Sequence, residues 1–238
     1  MTQGPFRFKK FEVAQHLCSM KVNTDGVLLG AWACSKVNDS CHRVLDIGTG
    51  SGVIALMIAQ CTQHARVDAI DIDELSCQQA DMNFANSDWR DRLKAYHTSL
   101  QLFLPEYQYD LIVSNPPYFV NDLKGEGHRK NLARHSVALS YADLLKGCYR
   151  LLSESGSCYI VIPDSNALMF QALAQEQKLF VKEILSVCAI QDKAPYLSLF
   201  QLQKWEAPVA ISALHIQCRD GQFSDEYISV TKSFYLKF

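Results

Sequence analysis

Arg43-Val-Leu-Asp-Ile-Gly-Thr-Gly-Ser-Gly52 decides the fold. Its first half is a short apolar run carrying one acid, which reads as a buried strand. Its second half places glycine at every other position, so the backbone can bend tightly and come close to a ligand. Val53-Ile-Ala-Leu-Met-Ile-Ala59 follows as an apolar helix whose unpaired N–H groups point back at the bend. Strand, glycine bend and helix in that order predict one unit of an open α/β sheet, with its ligand at the carboxyl edge of the strands.

Working outward, Arg66-Val-Asp-Ala-Ile70 reads as a second strand. Asp71 at its end is placed to accept hydrogen bonds from a ribose hydroxyl pair. Cys77, Ala80 and Phe84 then recur at helical spacing. Residues 93–97 predict a third strand and residues 109–113 a fourth. Residues 119–139 read as a charged loop. Ser140-x-x-Asp143 opens a helix in capping-box fashion, with Leu144, Leu145, Cys148, Leu151 and Leu152 on one face and Gly156 as its stop. A fifth strand is expected over 157–163, and Asp164 is expected to cap a helix to about Lys178. Residues 180–190 and 196–203 read as two successive strands, 209–217 as a candidate eighth, and a terminal helix begins near Ser224. Upstream, Thr24 or Asp25 is expected to cap a short helix over 27–33, while residues 1–22 show no clean periodicity.

Five βα units followed by two strands with no helix between them predict a seven-stranded, mostly parallel sheet. One strand is antiparallel and helices cover both faces. No repeat or linker interrupts it, so residues 1–238 read as one domain: a flanking segment over 1–40, a core sheet over 41–205, and a closing strand and helix over 206–238.

Composition fits an ordinary globular chain, with 48% hydrophobic and 20% charged residues among 238. No apolar stretch approaches the roughly 20 residues that span a bilayer. The opening decapeptide lacks the apolar core of a signal peptide, so no membrane and a cytoplasmic location are expected. Nine cysteines, with no Cys-x-x-Cys pair, argue for reduced thiols rather than for disulfides or a zinc site. His128 and His135 have no third ligand at metal spacing, so no metal is expected. No feature assigns the oligomeric state, and a monomer is the working expectation.

Net charge is only −2, but it is unevenly spread. Residues 1–43 and residues 121–150 each hold six Lys/Arg against three Asp/Glu. Solvated faces explain such blocks; so does a phosphate backbone. On the second reading Lys9, Lys10, Lys124, Arg129, Lys130 and Arg134 are the candidate RNA contacts. Phe6, Phe8 and Phe11, interleaved with basic residues, are equally suited to stacking on unpaired bases or to packing.

Ser114-Asn-Pro-Pro-Tyr118 supplies the chemistry. Two prolines cannot continue a central strand, so Asn115 lies at the carboxyl edge of the fourth strand. The Asn115 amide, the Pro116 carbonyl and the Tyr118 ring together suit a planar amino group, although Asn-Pro-Pro is also an ordinary turn. The stretch resembles the Asn/Asp-Pro-Pro-Tyr motif of S-adenosylmethionine-dependent methyltransferases that act on amino or amide nitrogens.

The glycine spacing agrees. Gly-x-Gly-x-Gly is not the Gly-x-Gly-x-x-Gly of dinucleotide enzymes, and Asp46 ahead of it would repel a pyrophosphate. S-adenosylmethionine carries a sulfonium and an ammonium and no phosphate, so it is the expected cofactor. Asp46 anchors its cationic end, Gly48 and Gly50 admit the methionine portion, and Asp71 holds the ribose. Methyltransferases of this type usually carry an acid toward the cofactor's adenine after the third strand. Here that position falls on Leu100, or on Ser99 under a shifted alignment.

Accepting both amino protons, at Asn115 and at Pro116, would pull a conjugated nitrogen toward tetrahedral geometry and aim its lone pair at the methyl carbon. Tyr118 would stack on a base that is unpaired or flipped out; a core aromatic after a turn is the plainer reading of that residue.

Residues 20–33, 45–52, 114–118, 133–135 and 227–238 together resemble the bacterial tRNA(Val) adenine-37 N6-methyltransferases, over nearly the whole chain. The resemblance implies a class I methyltransferase, Rossmann-like fold and methyl transfer to N6 of the adenine beside the anticodon. It implies a tRNA anticodon stem-loop as partner, and it places Thr24 and Asp25 near the methionine end of the cofactor. Two alternatives share the Asn-Pro-Pro-Tyr geometry: methylation of a protein glutamine amide, and methylation of guanine N2 in rRNA.

Overall fold

The computed structural model describes residues 4–117 and 139–237. Its elements are β1 (Phe6–Arg7), β2 (Glu12–Val13), α1 (Thr24–Lys36), β3 (Arg43–Ile47), α2 (Val53–Cys61), β4 (Arg66–Asp71), α3 (Glu74–Ala85), β5 (Leu93–His97) and β6 (Tyr109–Ser114). They continue with α4 (Tyr141–Leu151), β7 (Leu152–Pro163), α5 (Ala167–Glu176), β8 (Phe180–Ile190), β9 (Leu197–Gln203), β10 (Ala210–Gln217) and α6 (Asp225–Thr231).

One sheet has the order β10-β8-β9-β7-β6-β3-β4-β5. The β3, β4, β5, β6 and β7 ladders are parallel, as right-handed βαβ crossovers require. β9 runs antiparallel to both neighbours, and all seven of its residues are buried. The hairpin read from the sequence thus inserts one reversed strand. β10 adds an eighth strand at the edge, parallel to β8.

Alternation along the strands feeds two cores. Val44, Val67, Leu111, Val113, Tyr159 and Val161 face α1, α2 and α3, while Leu45, Ile47, Ile112, Ile160 and Ile162 face α4 and α5. α4 begins as its capping box predicts: Ser140 accepts from the Asp143 N–H at 3.1 Å. Below the second core, Asp68 accepts from the hydroxyls of Tyr96, Tyr107 and Tyr109 at 3.1, 2.8 and 2.7 Å.

Several local expectations change. Gly156 does not stop α4; the chain turns at Leu151–Leu152 and Gly156 lies within β7. There the register jumps, Tyr109 pairing Leu152 and Leu111 pairing Ser157. A Cβ at 156 would stand 2.8 Å from the Tyr109 carbonyl, so glycine is required by close approach and not as a helix end. Asn23, not Thr24 or Asp25, caps α1, which extends to Lys36. Asp164 opens a single 3-10 turn before α5, and its carboxylate accepts from Ser198 Oγ at 2.6 Å. In the opening segment, β1 and β2 form a short antiparallel pair. Phe8 and Phe11 stack on each other, 3% and 7% exposed, which favours packing over base stacking for both.

Candidate active site

β3 and β6 are neighbours, with Ile47 paired to Ser114, and Ser114 Oγ donates to the Ile47 carbonyl at 2.9 Å. The glycine bend and the Asn115-Pro116-Pro117 corner therefore leave the same edge of the sheet from adjacent strands, about 5 Å apart. Ser114 and Pro116 are buried, Asn115 is half-buried and Pro117 is exposed. The first turn of α1 closes a third side. Asn23 Oδ1 accepts from the Gly26 N–H at 2.9 Å. A Cβ at Gly26 would stand 3.4 Å from Asn115 Nδ2 and 3.4 Å from Asn23 Oδ1. Gly26 thus brings the first turn of the helix beside the Asn115 amide, with Thr24 and Asp25 in the same turn.

Gly48, Gly50 and Gly52 have φ of 71°, 56° and 80°, a region that side chains rarely adopt. The bend is pinned at several points. Gly48 and Thr49 N–H donate to the Ile70 carbonyl at 2.9 and 3.1 Å, and Gly50 N–H donates to Asp71 Oδ2 at 2.8 Å. A Cβ at Gly52 would meet the Phe84 ring at 2.5 Å, whereas nothing lies within 4 Å of that position at Gly48 or Gly50. The space over those two glycines is the cradle a ligand would fill.

Asp46 is fully buried. Thr49 Oγ1 donates to its Oδ2 at 2.6 Å, while its Oδ1 has no hydrogen-bond partner. Burial pushes its carboxyl up to about 7; the Thr49 hydroxyl and the Ala55 N–H, which is near but outside hydrogen-bonding geometry, pull the other way, and the charge of Asp71 adds to the rise. Asp71 is also raised by burial, against hydrogen bonds from the Asp73, Gly50 and Ile72 N–H groups. Neither acid takes part in an ion pair among the described residues. A buried carboxylate oxygen without a donor, beside an open glycine cradle, calls for a ligand that brings a cationic N–H. The ammonium of S-adenosylmethionine is such a group, and it fits this donor set.

The structure thus brings Asp46, Gly48, Gly50, Asp71, Thr24, Asp25, Asn115 and Pro116 to one rim. Leu100 is a correction. It is 4% exposed and packs into the second core against α4, where a Cβ at Gly147 would fall 2.4 Å from Leu100 Cδ2. Its side chain is a wedge between β5 and α4, so it does not reach an adenine at the rim. Thr98 stands at the edge instead, its N–H donating to the Asp71 carbonyl at 3.0 Å, and Ile72 beside Asp71 is 54% exposed.

Lys9 and Lys10 stand away from the glycine bend. Lys9 Nζ donates to the Lys232 carbonyl at 2.6 Å, its N–H donates to the Phe234 carbonyl, and Gln60 ties the same tail to α2. Lys10 acts on Cys61, the last residue of α2. Both lysines are thus at the far end of α2, about 12 Å along its axis from the glycine bend. Tyr118, Lys124, Arg129, Lys130 and Arg134 lie outside the described residues, as do His128 and His135.

Sequence reasoning missed Asn23, Gly26 and Asn83. The first was legible as an Asn preceding a helical run; the role of Gly26 depends on a residue 89 positions away and had no local signal. Among the described residues no group of three or more His, Cys, Asp or Glu side chains is arranged to hold a metal, and no helix is long and apolar enough to cross a membrane.

A family model described as "Methyltransferase small domain" matches residues 33–179. A tRNA1(Val) (adenine(37)-N6)-methyltransferase from Parabacteroides distasonis is 43% identical over the full length of both chains. One of the same name from Pedobacter heparinus is 41% identical over 99% of this chain and 100% of its own. Among solved structures, a predicted O-methyltransferase from Agrobacterium tumefaciens superposes with a TM-score of 0.71 at 14% identity, covering 88% of this chain and 96% of the other. A ribosomal protein L11 methylase from Lactobacillus delbrueckii gives 0.57 at 18% identity over 78% and 81%. These structural likenesses establish the class I methyltransferase fold.

Proposed function

Since the chain belongs to the tRNA1(Val) (adenine(37)-N6)-methyltransferase family, we propose that it transfers the methyl group of S-adenosylmethionine to N6 of adenine 37 in the anticodon loop of tRNA(Val). The observation that carries this reading is the approach of the Asn115 corner to α1, beside a glycine bend whose buried acid has one oxygen, Oδ1, without a donor. S-adenosylmethionine supplies an electrophilic methyl on sulfur.

The rest falls to the chain's own groups. Asp46 Oδ1 accepts from the cofactor ammonium, directly or through a water, and Thr24 and Asp25 close the methionine end. Asp71 holds the ribose, and exposed Ile72 offers an apolar face to the adenine of the cofactor. The Asn115 oxygen and the Pro116 carbonyl accept the two protons of the target amino group, so the nitrogen lone pair is directed out of conjugation. No general base is needed before attack; the proton is released from a nitrogen already cationic. Tyr118 stacks on the flipped base. Lys124, Arg129, Lys130 and Arg134 contact RNA phosphates. A substrate of this kind implies a cytoplasmic enzyme, and a monomer holds every residue named.

Purified chain, labelled S-adenosylmethionine and tRNA(Val) lacking the modification should yield N6-methyladenosine at one anticodon-loop position after nucleoside digestion. Methyl on guanine N2, or on a peptide glutamine with tRNA untouched, would replace this reading by one of its two alternatives.

A further inference from the structure

Asn83 is 4% exposed, and its side-chain amide makes three hydrogen bonds. Its oxygen accepts from the Ala14 N–H at 3.0 Å, and its nitrogen donates to the Ala14 carbonyl at 2.8 Å. Those two bonds hold residue 14 as a neighbouring strand would, donor to acceptor and acceptor to donor. The remaining N–H donates to the Ser51 carbonyl at 2.8 Å, inside the glycine bend. Ser51 lies between Gly50, whose N–H is held by Asp71, and Gly52, which begins α2.

From Ala14 the chain runs along α3 and then to α1. Leu17 N–H donates to Gln79 Oε1 at 3.2 Å, and Val22 N–H donates to Gln15 Oε1 at 2.8 Å. Lys21 Nζ donates to the carbonyls of Gln15 and Cys18 at 2.6 and 2.9 Å. Asn23 follows as the cap of the turn against which Asn115 lies. Residues 14–22 are therefore a strap with one end on Asn83 and the other on the catalytic corner.

We infer that Asn83 is a positioning residue that couples this strap to the cofactor-binding bend. The three glycines of the bend, in left-handed conformations, carry no side chains that could hold its second half, and its carbonyl at Ser51 is steadied by the same amide that steadies the strap. Loss of that amide loosens cofactor binding while leaving the acceptors at Asn115 and Pro116 in place. The inference rests on the cofactor reading given above.

Two substitutions test it. Asn83→Ala removes all three bonds; Asn83→Asp keeps the acceptor for the Ala14 N–H and loses both donors. Gln60→Ala is the control, since it cuts the tether from the far end of α2 to the Ser233 carbonyl. KM for S-adenosylmethionine should rise about tenfold in both Asn83 variants, equivalent to about 1.4 kcal/mol. At saturating cofactor, kcat should change by less than about threefold. Amide exchange over residues 14–22 should slow with S-adenosylhomocysteine in the parent and in Gln60→Ala, and should not respond in the Asn83 variants. An unchanged cofactor KM in the Asp variant, or an equal rise in Gln60→Ala, overturns the coupling. Failure of the unaltered chain to bind S-adenosylhomocysteine would remove the cofactor reading, and the coupling with it.

Discussion

Replacing Asp46 by Asn separates the cost of the buried acid from its use. In the folded chain this carboxyl titrates at about 7, against 3.8 for an unperturbed one. Between those values the folded state holds a proton that the unfolded state has released, so stability falls as pH rises from about 4 to about 7 and then levels. At about 1.4 kcal/mol per pH unit the full loss is roughly 4 kcal/mol by pH 8. Asn removes that charge but leaves a buried amide NH2 group without an acceptor, a cost of about 1–3 kcal/mol on mutational scales. The net gain for Asp46→Asn at pH 8 is then about 2 kcal/mol, or roughly 4–8 °C in Tm for a chain of this length. At pH 5, where the parent carboxyl is already protonated, the gain should vanish. Cofactor binding should move oppositely: at pH 8 the Asn variant should bind S-adenosylhomocysteine at least about tenfold more weakly, because the ammonium loses its anion. Differential scanning fluorimetry at both pH values, with calorimetric titration at pH 8, gives all the numbers. A Tm gain equal at pH 5 and pH 8, or undiminished ligand affinity, refutes the reasoning.

Other outcomes follow from the same geometry. Asn115→Ala should lower kcat by about 10²–10³-fold while S-adenosylhomocysteine affinity and Tm stay near parental values; full activity would show that the target nitrogen is held elsewhere. Gly26→Ala sets a methyl at ordinary contact distance, 3.4 Å, from Asn115 Nδ2, so kcat should change by less than about threefold and stability should stay near parental. A larger fall in kcat would contradict that account. Tyr109→Phe removes one of three donors from Asp68, and urea unfolding should show a loss of about 1–3 kcal/mol with activity per folded molecule retained.

How far the fold was legible depended on whether the signal was local. The glycine bend, the apolar run before it and the Ser140 cap each announce themselves within ten residues, and each formed as read. The closing hairpin was legible because no helical segment separates residues 190 and 197. Leu100 was misplaced because strand-end arithmetic cannot tell which way a residue points once the strand has ended; Gly147, on another element, decides it. Gly156 misled for a similar reason, since glycine ends helices and also permits close backbone approach, and only the Tyr109 carbonyl tells which applies. Lys9 and Lys10 share a charge block with the site's first helix, yet β1 and β2 carry them to the opposite end of α2.

The bridge between Phe8 and Tyr235, and the bond from Lys9 to the Lys232 carbonyl, span 227 and 223 positions of sequence. During synthesis at about 5–20 residues per second, the opening segment waits roughly 10–45 s for its pairing partner to be made. Until then β1 and β2 have no tail to dock on, and the strap that leads from them to α1 is held on α3 at Asn83 and Gln79. A nascent chain therefore carries the strands β3 to β7 well before its opening segment meets the tail it pairs with.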